Sequence, residues 1–163
     1  MALISTTTCW IKVDFSYPVN VRFSCNQCGL CCGDTRQKTR HILLLESEVK
    51  IIASQTKLDI TAFSFQIADK LPFCYEMKKT AEGKCVFLKE NKCTIYPMRP
   101  LICRFYPFEL KFEKDNQLHV FDFTLECPGI GQGKDFSKID FERLFDLAQE
   151  RLLLELLENI RVL

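Results

Sequence analysis

Ten cysteines in 163 residues constrain this chain more than any other feature, and four of them fall within eight positions, in CNQCGLCCGD at residues 25–34. A run so dense in thiols is held together either by disulfides or by metal. The stretch MALISTTTCWIKVDF at the start has no basic region, and its apolar run is too short for an export signal or a membrane span. The chain is therefore expected to be cytoplasmic, with no membrane span. In a reducing compartment metal binding or redox chemistry outranks a disulfide framework.

The rest of the composition is that of an ordinary folded protein. Hydrophobic residues make up 47% and charged residues 26%, and 14 phenylalanines can build a core without help from metal. The length suits a single domain over 1–163. A formal net charge of +1 gives no global attraction to nucleic acid or anionic lipid.

Hydrophobic patterning places the cysteines on an α+β frame, a small domain with an irregular cysteine-rich half, short β-hairpins and a long C-terminal helix. WIKVDF (10–15) alternates like a strand, and RHILLL (40–45) reads as a short buried strand. A helix over ESEVKIIASQ follows with Ser47 as its N-cap, and a second starts near Asp59. KCVFLKENKCTIY (84–96) is expected to form a hairpin turning at 89–91, which brings Cys85 and Cys93 together. The three prolines of YPMRPLICRFYPF argue for an extended segment rather than a regular helix. FELKF and LHVFDF flank a turn at 114–117, GIGQGKD reads as a flexible connector, and residues 139–162 carry the clearest helical period.

Cys25-x2-Cys28-x2-Cys31 is the spacing by which ferredoxins give three thiolates to one 4Fe–4S cluster, with a remote Cys-Pro as the fourth; Cys127-Pro128 is such a pair. Glycines at 29 and 33 let the loop wrap around a polynuclear centre. Zinc would use the same residues as two pairs, Cys25/Cys28 and two of Cys85, Cys93 and Cys103, although the second half lacks a tight Cys-x2-Cys knuckle. Adjacent side chains diverge, so either Cys31 and Cys32 both reach a polynuclear centre, or one is a small buried hydrophobe. Cys9 and Cys74 stand apart in apolar surroundings and read as core. His41 and His119 lack ligand spacing, and the Glu46/Glu48 pair suits a helix start rather than catalysis.

FSCNQCGLCC followed by CVFLKENKCTIYPMRPLICRFYPF resembles the CxxCxxCC cysteine-cluster family of zinc- or iron-chelating proteins, often labelled iron–sulfur oxidoreductases, which includes the flagellin lysine methylases. The likeness covers the motif core at 23–108, with Cys127 as a further candidate. It implies metal ligation by cysteines drawn from Cys25, Cys28, Cys31, Cys32, Cys85, Cys93 and Cys103, and leaves the metal open. Tyr106 stands where a phenylalanine before proline is common in that motif.

A thiolate-ligated 4Fe–4S core carries about two negative charges, which nearby donors stabilise. Arg104, beside Cys103, is the first candidate donor; Arg99 does the same, binds an anionic substrate, or orients the proline-rich segment. The resulting expectation is a 4Fe–4S protein for electron transfer or redox chemistry, with an unidentified redox or protein partner. The rival is a structural zinc module for protein interaction. Lysine methylation ranks third, since the chain has little room for a further cofactor domain and no S-adenosylmethionine fingerprint.

Overall fold

The structure, a computed structural model, describes residues 15–160, with side chains through Leu153. The strands are β1 (Phe15–Ser16), β2 (Arg22–Phe23), β3 (Leu43–Leu44), β4 (Ser64–Gln66), β5 (Tyr75–Met77), β6 (Leu88–Lys89), β7 (Lys92–Cys93), β8 (Phe108–Glu113), β9 (Leu118–Phe123) and β10 (Ile130–Asp135). Between and after them run the helices α1 (Glu46–Thr56), α2 (Ile60–Phe63), α3 (Leu101–Phe105) and α4 (Lys138–Ile160). This is a mixed α+β protein with a C-terminal helix, as the patterning predicts. No helix among the described residues is long and apolar enough to cross a membrane.

Two hydrophobic clusters support it. In the first, the antiparallel β8–β9 hairpin, with β1 parallel to β9, presents alternate residues to α4. Strand periodicity puts Phe108 and Phe121 on the inner face, and helical periodicity puts Phe141, Phe145 and Ala148 opposite them. Phe141 is fully buried, with ring centroids 5.1 Å from Phe108, 5.0 Å from Phe121 and 4.8 Å from Phe136. Such offset and edge-on pairs add to what area burial alone supplies.

In the second cluster the β3–β5–β4 sheet, α1 and α2 bury Leu44, Val49, Ile52, Phe63 and Met77, and Cys32, Cys93 and Cys103 pack against them. The two clusters meet where the chain passes from β3 into α1: Leu44 belongs to the second and its neighbour Leu45 to the first. Buried Glu48 joins the seam. Its Oε2 accepts from the Leu45 N–H (3.0 Å) and its Oε1 from the Leu101 N–H (2.5 Å), which ties the start of α1 to the start of α3.

Several local expectations need correction. Ser47 is not the N-cap of α1: the helix already includes Glu46, which makes Leu45 the N-cap, and the Glu48 carboxylate at the third helical position reaches back to accept from the Leu45 N–H. The proline-rich segment is not extended throughout. Pro97 lies in a 3-10 turn at Tyr96–Met98 and Pro100 immediately precedes α3, positions where a missing N–H leaves no bond unmade. GIGQGKD is not a free connector but β10, antiparallel to β2, with an irregularity between Ile130 and Asp135. Gly131 and Gly133, at φ 83° and 73°, permit that irregular path, and Arg22 Nε and Nη2 donate to the Gly133 carbonyl at 2.8 and 2.5 Å. The hairpin at 84–96 narrows to β6 and β7, turning at Glu90 and Asn91. Asp59 caps α2 by accepting the Thr61 N–H. Apart from Phe15, WIKVDF lies outside the described residues, as do Cys9 and the last two residues of the expected helix.

Candidate metal centre

The dense cysteine run is docked by backbone contacts and by the Asp34 carboxylate rather than by its thiols. Gly29, at φ 73°, starts a 3-10 turn at Leu30–Cys32, and Cys32 N–H bonds back to the Gly29 carbonyl at 3.1 Å. The far side of the loop lies against residues 79–85, where Cys85 N–H donates to Cys32 O (2.6 Å) and Asp34 N–H donates to Gly83 O (2.8 Å). Asp34 holds this junction through Lys79 Nζ at 2.8 Å and the Arg40 N–H at 2.8 Å, and both donors, Lys79 foremost, keep its carboxyl below the usual aspartate range.

Gly33 permits the close approach. A Cβ there would lie 2.5 Å from Gly83 O and 2.8 Å from Lys84 Cα, and backbone on that side cannot move aside cheaply. Gly33→Ala is expected to lower stability by about 1–3 kcal/mol in urea unfolding, as overpacking does. It should also lower metal per folded chain. Wild-type stability and metal content would refute the docking.

The remaining thiols arrive from separate elements. Cys93 sits in β7 opposite Leu88, and Cys103 lies on α3. Cys127 comes back to the loop because Gly129 O accepts from Ser24 N–H at 3.1 Å, an approach so close that a Cβ on Gly129 would lie 2.4 Å from Ser24 O. Cys31 is at the centre of this gathering. Its Sγ is 3.9 Å from Cys32 Sγ, and it interacts electrostatically with Cys85, Cys93, Cys103 and Cys127, while Cys28 interacts with Cys127. The sulfur contact with Cys32 and then burial push the Cys31 thiol far up; burial is the main cause raising Cys85, Cys93, Cys103 and Cys127. Such thiols become thiolates when a bound cation displaces their protons. Cys25 is exposed at the outer end of the loop. All nine described cysteines are free, and no three His, Cys, Asp or Glu side chains among the described residues stand closely enough to hold one ion.

Two positively charged features accompany the thiols. Arg104 donates to Pro97 O at 2.7 Å and to Arg99 O at 3.0 Å, so its fork is turned onto backbone carbonyls. Arg99 lies 3.8 Å over the Tyr96 ring, and its charge reaches Cys93. Sequence reasoning missed Arg40. Its guanidinium is ion-paired to Glu126 at 2.9 Å and stands 5.1 Å from the Tyr106 ring centroid, with a buried Nε that has no hydrogen-bond partner. The Tyr106 hydroxyl is likewise buried without a well-formed hydrogen bond, within electrostatic reach of Cys127 and Cys31. The tyrosine in place of the usual phenylalanine was the one signal for this in the sequence; Arg40 sits in no motif.

Thiols collected from separate segments onto a mixed α+β frame define a cysteine-based metal-chelating protein. Residues 24–128 match the family described as "CxxCxxCC: Putative zinc- or iron-chelating domain", and the chain belongs to that family. Among its relatives is the uncharacterized protein MJ0661 of Methanocaldococcus jannaschii, 30% identical over 131 residues, which cover 76% of this chain and 68% of that protein. No solved structure matches the chain.

Proposed function

We propose that this protein binds a 4Fe–4S cluster through thiolates drawn from Cys25, Cys28, Cys31, Cys32, Cys85, Cys93, Cys103 and Cys127, and uses it for electron transfer or redox chemistry with a partner protein or substrate. The observation that carries the proposal is the number of thiols around Cys31. Cys32, Cys85, Cys93, Cys103 and Cys127 all interact with it, more than the four donors of a mononuclear zinc site. The surroundings suit a negatively charged sulfur-rich group as well. Two buried donors without a well-formed hydrogen bond, Tyr106 Oη and Arg40 Nε, belong to side chains within electrostatic reach of Cys31, and can each donate to sulfur.

When bound, such a cluster supplies reversible one-electron transfer. The protein's own part is to present thiolates from a loop docked at Gly33, to shield the site with the second hydrophobic cluster, and to set its local charge through Arg40 and Arg99. Nine free thiols agree with a reducing, cytoplasmic setting. The test is iron, zinc and acid-labile sulfide analysis with an absorption spectrum on protein purified without oxygen. About four irons and four sulfides per chain, with a broad band near ~400 nm, are expected of such a cluster. Zinc without sulfide would overturn the reading and leave a structural module.

A further inference from the structure

Helix α4 packs across α3 and leaves two cavities that share Arg99 and Arg104 as a common wall. The smaller, about 140 Å³, is completed toward α1 by Glu48 and Arg151. The larger, about 290 Å³, is lined on its other sides by Phe23, Phe136, Leu144 and Leu147, with the exposed Arg143 and the half-buried Asp140. It thus sets guanidinium groups beside ring and aliphatic surface.

The charges do not balance within the walls. In the larger cavity three arginines, at 99, 104 and 143, face one carboxylate, Asp140, which leaves two positive charges in a chain whose formal total is +1. Asp140 accepts from the Ser137 N–H at 2.8 Å and pairs with Arg143 at 3.8 Å, so it does not offset Arg99 and Arg104. Arg104 is fixed by neutral carbonyls, which orient its fork without neutralising it, and the buried Nε of Arg99 has no hydrogen-bond partner. Crowded guanidinium groups repel one another. An oxyanion relieves that repulsion, and their planar forks match its geometry.

We infer that the larger cavity binds a phosphate monoester with a compact apolar body, its dianionic phosphate among Arg99, Arg104 and Arg143 and its apolar part against Phe136, Leu144 and Leu147. A surplus of two charges matches a phosphate dianion rather than a carboxylate, and the larger volume is near the lower end of the range for small-molecule sites. The site adjoins the thiols through Tyr106, which lines the larger cavity, but it requires no particular metal.

The test is calorimetric titration of the metal-loaded full chain with phenyl phosphate, inorganic phosphate and benzoate. Phenyl phosphate is expected to bind with one-to-one stoichiometry and about tenfold or more tighter than either of the others. The R143Q variant removes one of the guanidinium groups of the larger cavity and lies on α4, away from the cysteines; it should weaken phenyl phosphate about tenfold or more while metal content stays at the wild-type value. If R143Q fails to fold, R143K is measured, with an expected loss of about threefold or more from the missing fork. Absence of saturable binding at millimolar phenyl phosphate, equal affinity for inorganic phosphate, tighter binding of benzoate, or arginine variants that bind as the wild type would each overturn the inference. Binding by zinc-loaded protein would uphold it even with the cluster reading lost.

Discussion

Cys31→Ser is expected to yield a protein with no stoichiometric metal and no iron–sulfur absorption, whereas Cys74→Ser keeps both. Cys31 touches Cys32 and interacts electrostatically with Cys85, Cys93, Cys103 and Cys127, so a weaker donor there is felt by every segment that brings a thiol toward the centre. Cys74 is outside that group; its thiol donates to Pro72 O at 3.5 Å. Metal binding and folding are coupled where ligands come from separate segments, so Cys31→Ser should also unfold at lower urea than the loaded wild type. Cys25→Ser and Cys28→Ser are expected to lose the metal too. Metal and sulfide analysis of the anaerobic proteins checks the series, and full occupancy in Cys31→Ser would refute the placement of the centre. Cys32→Ser, run beside it, decides how the adjacent pair is used: metal retained there assigns ligation to Cys31 alone.

Phe141→Ala should cost about 3–5 kcal/mol, the usual range for emptying a buried aromatic site. The ring has no solvent exposure and meets Phe108, Phe121, Phe136 and Tyr17, so α4, β8, β9 and residues outside them lose contacts together. Against a typical total of about 5–15 kcal/mol, that loss consumes a large part of the stability. Urea unfolding measures it. Metal per folded chain is expected to stay near the wild-type value, because Phe141 belongs to the first cluster and Cys32, Cys93 and Cys103 pack against the second. A change below about 1 kcal/mol would mean that α4 does not depend on this ring for docking.

The elements legible in the sequence were those whose period is set by their own residues. Phe108 to Phe123 alternate about a turn and form β8 and β9, and the apolar repeat from Phe141 to Leu152 forms α4. The misread elements depend on partners distant in the chain. GIGQG is too glycine-rich to read as a strand, yet Ser24, Arg22 and Val21 supply the bonds that hold it as β10. Glu48 looks like a surface residue at a helix start, and the Leu101 N–H that it accepts from is brought up by α3, distant in the sequence. The cysteine spacings announced a metal site, but not its neighbours. Arg40 reaches Tyr106 and Glu126 across the fold, contacts that no local pattern encodes.

The return of Cys127 to the loop at Ser24 also sets a timetable. Ribosomes add about 5–20 residues per second, so the hundred or so residues from Cys25 to Cys127 take on the order of 5–20 s to appear. For most of that interval the four thiols of residues 25–32 are already made while Gly129, which anchors the returning segment beside them, does not yet exist. A newly synthesised chain is therefore at its most oxidisable before it can fold, and the vulnerability of this protein is fixed by the order of its segments as much as by its final structure.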